Sequence, residues 1–237
     1  MTHQLRDLVQ LIRDKETSYL SDARLLEVDL IPKLGLNDEN NVAHSRYFPD
    51  ELEGSRGGLR IWQYPNQFSK YLVELPKHRI GSYLEIGVRH GGSFITTVEY
   101  LQRFQPVRAV GVDVLLCPTL HAYQELNPAV EFWQVHTRSD AFLERLLALG
   151  DLDLVFIDGD HSEQGCWNDF TAVRDRCRMV AFHDIRNIDT PGVSKVWARV
   201  KRAYAARYTF HEFTEQYASI EREGRLYMGI GLAVRRT

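Results

Sequence analysis

The 237-residue sequence has few cysteines, no long apolar run and little net charge. Cys117, Cys166 and Cys177 are odd in number and follow no paired ligand spacing, which argues against a disulfide framework and a cysteine-based zinc site. No apolar run approaches the ~20 residues of a membrane span, and the polar start carries no signal-peptide core. We therefore expect a cytoplasmic protein that is not inserted in a membrane.

The charge balance excludes a further class of partner. The net charge is −3, and 26% of the residues are charged. Because proteins that bind nucleic acids usually carry a basic excess toward the phosphates, we expect no nucleic-acid partner. Hydrophobic residues make up 44% of the chain, which is enough to bury a full core. These values indicate a globular α/β protein.

Helix and strand patterns change at about residue 78. Before it, apolar residues recur at helical spacing between Leu5 and Leu26, and a polar, glycine-rich stretch covers 36–60. This predicts a helical cap or lid over residues 1–78. After it, residues 79–237 alternate between apolar runs and amphipathic stretches, as βαβ units do. The predicted strands are 82–87, 108–113, 130–136, 153–158 and 178–183.

The last two β-rich segments differ from these parallel strands. They cover 208–217 and 227–235 and are separated by the polar stretch 221–225. Two such strands close in sequence predict an antiparallel hairpin at the edge of the sheet. The expected fold is a Rossmann-like α/β sheet, mostly parallel, with a helical N-terminal extension.

A glycine-containing turn follows the first predicted strand, in the sequence YLEIGVRHGGS (83–93). Glycines allow a close approach of a ligand to the backbone, and the start of the next helix offers unpaired N–H groups. The spacing Glu85-x-Gly87-x3-Gly91 differs from the G-x-G-x-x-G of dinucleotide-binding proteins. It suits a nucleotide-type cofactor whose amino-acid carboxylate lies against the turn. The alternative is a turn that only packs a helix on a strand.

Asp113 ends the second predicted strand, after Val110-Gly111-Val112. Ligands of open α/β sheets bind at the carboxyl ends of the strands. An acid at such an end can accept hydrogen bonds from both hydroxyls of a ribose. We expect Asp113 to bind a cofactor ribose, and a helix cap or solvated side chain is the alternative.

The fourth and fifth predicted strands also end in polar clusters. Asp158 belongs to IDGDH (157–161), and His183-Asp184 follows the next strand. Because these strand ends should meet at one edge of the sheet, the side chains predict a divalent-cation site near the cofactor turn. The alternatives are loop caps and a hydrogen-bonded core histidine.

In combination, these motifs resemble class I S-adenosylmethionine-dependent methyltransferases. Within that class the resemblance is to the group that gathers macrocin and mycinamicin sugar O-methyltransferases with cephalosporin-hydroxylase-like proteins. It extends over roughly residues 60–200. The motifs that carry it are LEIGVRHGGS (84–93), Val112-Asp113, FIDGDHS (156–162), His183-Asp184 and PGVSKVW (191–197).

The resemblance implies a set of site residues. S-adenosylmethionine would lie on Glu85, Gly87, Gly91, Ser93 and Asp113, with Ser139 near the adenine and Asp158 at the border of the cofactor and metal sites. A divalent cation, Mg²⁺ or Mn²⁺, would be held by Asp158, His183 and Asp184. His183 stands where related sugar methyltransferases commonly carry an acid, and an imidazole favours Mn²⁺, Fe²⁺ or Zn²⁺ over Mg²⁺. The catalytic base would be His161, three residues after Asp158.

The implied reaction is methyl transfer to a hydroxyl group of a sugar or natural-product acceptor, so the expected partner is a small molecule or a glycan. His161 would take the proton of a hydroxyl whose pKa is lowered by the cation. As an unperturbed histidine it would titrate near pH ~6.5. Trp62, Tyr64 and residues 186–190 are the candidate acceptor lining.

Two other functions stay open. A non-haem iron oxygenase could use His161, His183 and either Asp158 or Asp184 as a two-histidine, one-carboxylate triad. A non-catalytic protein could bind S-adenosylmethionine without turnover. A homo-oligomer is also open, because the apolar N-terminal helices are a candidate surface for a second copy of the chain.

Overall fold

A seven-stranded β-sheet lies at the centre of the computed structural model, which describes residues 2–39 and 47–236. Its strands are β1 (Ser82–Ile86), β2 (Arg108–Asp113), β3 (Val130–Gln134), β4 (Leu152–Ile157), β5 (Cys177–Phe182), β6 (Tyr208–Phe213) and β7 (Ile230–Arg235). Their spatial order is β3-β2-β1-β4-β5-β7-β6. Strands β1 to β5 are parallel, and β7 runs antiparallel to β5 and β6. The prediction of a mostly parallel Rossmann-like sheet with an antiparallel C-terminal pair is confirmed.

Helices follow each of the five parallel strands and also form the N-terminal segment. They are α1 (Thr2–Arg13), α2 (Thr17–Leu20), α3 (Ala23–Leu25), α4 (Ile31–Leu34), α5 (Pro65–Glu74), α6 (Gly92–Gln102), α7 (Pro118–Leu126), α8 (Asp140–Leu149), α9 (Glu163–Val173), α10 (Pro191–Ala203) and α11 (Ala218–Arg222). A π-helical turn, Leu26–Leu30, joins α3 to α4. Short 3₁₀ helices cover Asp50–Ser55 and Leu75–Lys77.

The parallel strands are buried on both faces, which explains their nearly continuous apolar sequences. Successive residues of β1 show this: Tyr83 packs into the cluster that contains α1, α5, α6 and α7, whereas Leu84 packs into the cluster that contains α8, α9 and α10. One hydrophobic layer therefore packs on each face of the sheet. Neither layer covers the carboxyl ends of β1 to β5.

The N-terminal helix α1 shares the core of the sheet. Its apolar side chains Leu5, Val9 and Ile12 are buried, and α1 packs against α6 and α7. At its end Arg13 donates two hydrogen bonds, 2.7 and 2.8 Å long, to the buried carboxylate of Glu99. Because this chain itself covers the apolar face of α1, that face does not support a homo-oligomer. The oligomer and the division into 1–78 and 79–237 stay predictions.

The C-terminal strand pair differs in part from the prediction, and the predicted lid is only partly described by the structure. The helix α11 lies between the last two strands and ends inside the polar stretch 221–225 that was expected as a loop, and β6 ends at Phe213 rather than continuing to residue 217. Of the predicted lid over 36–60, residues 40–46 lie outside the described residues. In the rest, Leu36 forms isolated bridges with Arg56 and Ile61. Over the described ranges, none of the helices combines the length and apolar character needed to cross a bilayer.

Candidate active site

A cavity of about 500 Å³ lies across the carboxyl ends of the five parallel strands. This volume is in the range of pockets that hold small-molecule ligands. The loops after the strands contribute residues 87–90, 113–115, 135–137, 158–161, 183–184, 187 and 190 to its wall. Tyr47, Arg60 and Trp62 enclose it from the N-terminal segment. The predicted sheet edge is therefore the edge that carries a cavity.

The glycine turn joins β1 to α6 at the centre of this cavity. Gly87 and Gly91 both have a φ of +87°, a left-handed conformation that glycine adopts without strain. Gly87 lines the cavity, and a Cβ on it would lie 2.1 Å from the backbone oxygen of Asp158. Gly91 is the N-cap of α6 and lies just behind the lining. The turn thus directs the start of α6 toward the cavity and packs directly on the loop after β4.

Glu85 and Ser93 form a buried pair beneath the turn. Glu85 is fully buried and accepts hydrogen bonds from the Ser93 hydroxyl, at 2.8 Å, and from the Tyr83 hydroxyl. Burial raises the pKa of Glu85 to about 8, against the opposing effect of these two hydrogen bonds. Ser93 lines the cavity, whereas Glu85 lies behind it. The cofactor roles of both residues stay predictions, and Glu85 reaches the cavity only through Ser93.

Asp113 lies at the tip of β2, on the cavity wall. Its two carboxylate oxygens accept hydrogen bonds of 2.8 Å from the backbone N–H groups of Arg89 and Leu115. These bonds fix the orientation of the carboxylate and connect the loops after β1 and β2. Each oxygen keeps a second lone pair, so both could still accept a ligand hydroxyl.

Asp158, His161 and His183 form a compact cluster at the other end of the cavity. One ligand atom from each lies within 4.8 Å of the other two. The Oδ1 atom of Asp158 is 2.9 Å from Nδ1 of His183 and 3.1 Å from Nε2 of His161. The Nε2 atom of His183 is buried and has no hydrogen-bond partner among the described residues. Two imidazoles and a carboxylate are a donor set that binds transition-metal ions.

Charges within the cluster shift its pKa values strongly. Burial lowers the pKa of His161, but the hydrogen bond to Asp158 and the charge of Asp184 outweigh burial and raise it to about 9. Burial raises the pKa of Asp158, but the charge of His183 and the hydrogen bond from His161 lower it to about 2. The pKa of His183 is raised for the same reason, because the nearby carboxylates outweigh its burial. His161 is therefore protonated at neutral pH, in contrast to an unperturbed histidine.

Asp184 lies beside this cluster but is held by its own loop. It has a φ of +63°, and its carboxylate accepts 3.0 Å hydrogen bonds from the Asn187 amide and the Thr190 hydroxyl. The same carboxylate lies 3.5 Å from Nδ1 of His161 and 3.5 Å from Nδ1 of His183. The structure thus brings together the three predicted cation ligands. His161, predicted as the base, stands closer to Asp158 than Asp184 stands to either histidine.

Other predicted residues take different places. The Ser139 hydroxyl caps α8 through the Phe142 N–H and donates to the backbone oxygen of His136, so Ser139 lies outside the cavity lining. Its cofactor role stays a prediction, and residues 135–137 take the wall position instead. Trp62 lines the cavity, as expected, whereas Tyr64 is buried in a separate cluster with Tyr227.

Sequence reasoning missed several side chains in or near the site. Gln63, which is buried, donates a 3.4 Å hydrogen bond to Oδ2 of Asp158. Glu39 pairs with Arg89 and His90 of the glycine turn at 2.6 Å each. Asp169, on α9, is buried and lines the cavity. A polar residue inside an otherwise apolar helix face is the only signal that could have pointed to Asp169.

Residues 84–185 match the family described as a methyltransferase domain. The match covers 102 of the 237 residues, less than half of the chain. The matched segment contains every residue predicted to bind the cofactor or the cation or to act as the base, from Glu85 to Asp184, and the prediction of a methyltransferase enzyme is confirmed at this level. The match favours this activity over the iron oxygenase alternative. No curated protein sequence matches the chain.

Solved structures share the fold over most of the chain. An O-methyltransferase from Bacillus cereus in complex with SAH is 16% identical, with a TM-score of 0.53, over 76% of this chain and 84% of that chain. A candidate O-methyltransferase from Klebsiella pneumoniae is 17% identical, with a TM-score of 0.52, over 82% of this chain and 86% of that chain. At this identity the likeness establishes the Rossmann-like methyltransferase fold.

Proposed function

We propose that the protein is an S-adenosylmethionine-dependent O-methyltransferase that methylates a hydroxyl group of a sugar or natural-product small molecule with the help of a divalent cation. One observation carries this proposal: the glycine turn and Asp113 share a cavity with the cluster of Asp158, His161 and His183. The first part suits the cofactor. The second part suits removal of a proton from a hydroxyl group.

The cofactor part of the cavity fits S-adenosylmethionine in its chemistry. The start of α6 offers N–H groups and the positive end of a helix dipole to the amino-acid carboxylate. Asp113, already oriented by Arg89 and Leu115, offers lone pairs to the ribose hydroxyls without reorganisation. When bound, the cofactor would supply an electrophilic methyl group on its sulfonium.

The cation part fits a divalent transition metal better than Mg²⁺. Asp158 and His183 would hold the ion, because Oδ1 of Asp158 lies 2.9 Å from Nδ1 of His183 and both residues belong to the cluster whose ligand atoms lie within 4.8 Å of one another. An imidazole donor suits Mn²⁺, Fe²⁺ or Zn²⁺, whereas Mg²⁺ prefers oxygen ligands. A cation at this place would act as a Lewis acid toward the substrate hydroxyl.

His161 is the residue to which we assign proton removal. Its side chain is 36% exposed, in contrast to 2% for His183, so it is the histidine that an acceptor can reach. Asp158 and Asp184 flank its two ring nitrogens and stabilise the imidazolium that forms when it takes a proton. Neutral His161 is therefore a strong base but a minor species near neutral pH. Any positive charge placed on Asp158 would increase the neutral fraction.

The acceptor part combines aromatic and polar walls. Tyr47 and Trp62 line the cavity on one side, and Asn187 and Thr190 line it beside Asp184. Convergent hydrogen-bonding groups beside aromatic rings suit a polar small molecule that must be oriented. This supports a sugar or natural-product hydroxyl. The narrower resemblance to the macrocin group rests on the sequence motifs at 156–162, 183–184 and 191–197.

The proposal is tested by measuring transfer of a labelled methyl group from S-adenosylmethionine to a panel of sugar and natural-product acceptors. Transfer should stop after exhaustive chelation and return when Mn²⁺ is added. Asp158→Ala should abolish it, whereas Asp151→Ala, which changes an exposed acid just before β4, should leave it unchanged. Full transfer after chelation would contradict cation assistance. Oxidation of an acceptor without transfer of the label would contradict methyl transfer itself.

A further inference from the structure

The helix α10 begins with the motif PGVSKVW (191–197), to which the proposed reaction gives no role. Two residues at this start depart from the local preferences of helices. Gly192 lies inside the helix, where glycine is less favourable than alanine. Thr190 is the N-cap, a position whose side chain ordinarily accepts a hydrogen bond from the first turn. Here its hydroxyl donates at 3.0 Å to Oδ2 of Asp184. Such departures are expected where a segment serves a functional site.

Gly192 allows α10 to approach the backbone of the loop that carries His161. A Cβ on Gly192 would lie 2.5 Å from the carbonyl oxygen of His161 and 2.4 Å from the nitrogen of Glu163. Both are backbone atoms, so no rotation of a side chain relieves the contact. The close approach of the two segments therefore explains the glycine, whose own conformation is that of a helix.

The same turn contacts both loops that flank the proposed base. His161 lies on the loop after β4, and Asp184 lies on the loop after β5. Nδ1 of the imidazole lies 3.5 Å from Oδ2 of the carboxylate. Thr190 donates to that same Oδ2 atom, and Gly192, two residues later, abuts the His161 backbone. The start of α10 therefore determines how far apart the two loops lie.

We infer that Gly192 and Thr190 are positioning residues that hold the imidazole of His161 against the carboxylate of Asp184. This inference rests on the proposed function, in which His161 removes the proton of the acceptor hydroxyl. A carboxylate beside a ring nitrogen stabilises the imidazolium that forms, so its distance bears directly on the strength of the base. Gly192 lies behind the cavity wall and acts only through His161.

The contact gives the size of the effect expected for Gly192→Ala. A methyl carbon needs about 3.5 Å to its neighbours, so the first turn of α10 and residues 161–163 must separate by about 1 Å. Because Thr190 ties α10 to Asp184, this separation moves His161 away from the carboxylate. A misplacement of about 1 Å can lower turnover about a hundredfold. Asp113 and the start of α6 belong to other loops, so cofactor binding should not change.

The test measures kcat, the KM of the acceptor and the affinity for S-adenosylhomocysteine, using the acceptor that the labelled-methyl panel identifies. Gly192→Ala should lower kcat about tenfold to a hundredfold and leave the KM and the cofactor affinity unchanged. Gly81→Ala is the matched control, because a Cβ there would lie 3.6 Å from Oδ2 of Asp153, an ordinary contact just before β1. This control should keep the wild-type kcat.

Thr190→Val and Thr190→Ser test the second contact. Valine has the shape of threonine without the hydroxyl, whereas serine keeps the hydroxyl. Thr190→Val should therefore lower kcat, and Thr190→Ser should keep most of it. This pair decides the inference if Gly192→Ala does not fold.

The other outcomes count against the inference in different ways. A wild-type kcat in a folded Gly192→Ala variant would overturn it. A lower kcat accompanied by equal losses in acceptor and cofactor binding would overturn it too, because a damaged fold affects all three. The same kcat in Thr190→Val and Thr190→Ser would contradict the role of the hydroxyl. If the wild-type protein methylates no acceptor, the proposed function fails and the inference fails with it.

Discussion

Replacing Gly87 with alanine should lower the free energy of unfolding through two effects, the left-handed backbone conformation and a clash with the Asp158 backbone. The residue has a φ of +87°, and a Cβ would lie 2.1 Å from the Asp158 oxygen and 2.4 Å from the Asp158 carbonyl carbon. A left-handed conformation costs alanine about 1–2 kcal/mol. Overpacking against the Asp158 backbone adds about 1–3 kcal/mol. We expect the free energy of unfolding to fall by about 2–5 kcal/mol.

Gly150 provides the matched control for this substitution. Its φ is +76°, but nothing lies within 4 Å of a Cβ placed on it. Gly150→Ala should therefore lose only the conformational part, and Gly87→Ala should melt roughly 2–12 °C below it. Urea and thermal unfolding of the two variants give the comparison. Equal losses of stability would refute the reasoning that the turn after β1 packs against the loop after β4.

Gly87→Ala should also affect function through Asp158. Moving the Asp158 backbone displaces the carboxylate that holds His161 and His183, so the His161 pKa should fall toward its usual range. Binding of S-adenosylhomocysteine should weaken by more than about tenfold in Gly87→Ala, the effect of losing one charge-assisted hydrogen bond or more, and stay unchanged in Gly150→Ala. Nuclear magnetic resonance titration of the histidine signals and calorimetry measure these effects. An unchanged His161 pKa in Gly87→Ala would contradict this link between the glycine turn and the cluster of Asp158, His161 and His183.

Three further predictions concern the site. His161→Ala should reduce turnover by roughly 10²–10⁴-fold with little change in cofactor affinity, and wild-type turnover of this variant on the true acceptor would contradict a role as base. In the cation-free wild-type protein the His161 imidazole should titrate at about pH 9, and its pKa should fall when Mn²⁺ is added. Asp184→Ala should reduce turnover more than cofactor affinity, since it removes the carboxylate that lies 3.5 Å from His161 and from His183; an equal loss of both in steady-state kinetics would argue for a structural role alone. Burial raises the pKa of Glu85 from about 4.5 to about 8, so between these pH values the native state binds more protons than the unfolded state and the free energy of unfolding falls as the pH rises. In urea unfolding at a series of pH values, Glu85→Gln should flatten this fall. An unchanged dependence on pH would contradict the prediction.

The sheet and the polar ends of its strands were predictable because their signals are local. Apolar runs bounded by helical stretches mark parallel strands, and Asp113, Asp158 and His183 each follow such a run directly. Since parallel strands end at one edge, their approach to one another follows from the topology. The roles of these residues in cofactor and cation binding still await experiment.

The remaining features depend on contacts between distant segments. The pKa of His161 reaches about 9 because its hydrogen bond to Asp158, together with the charge of Asp184 from a different strand, outweighs its burial. Asp169 belongs to α9, and only the packing of that helix brings it beside the Thr137 side chain. Glu85 was predicted to bind the cofactor, which stays a prediction, and only the packing of α6 on β1 shows that its carboxylate accepts a hydrogen bond from Ser93. The spacing of residues along the sequence does not indicate these distances.

Calorimetric titration of the wild-type protein with S-adenosylmethionine, S-adenosylhomocysteine and NADH tests the central claim most directly. The two sulfur compounds should bind with micromolar dissociation constants, NADH should not bind, and Asp113→Ala should weaken the sulfur compounds by about tenfold or more through loss of the ribose hydrogen bonds. Binding of NADH without binding of either sulfur compound would contradict the account.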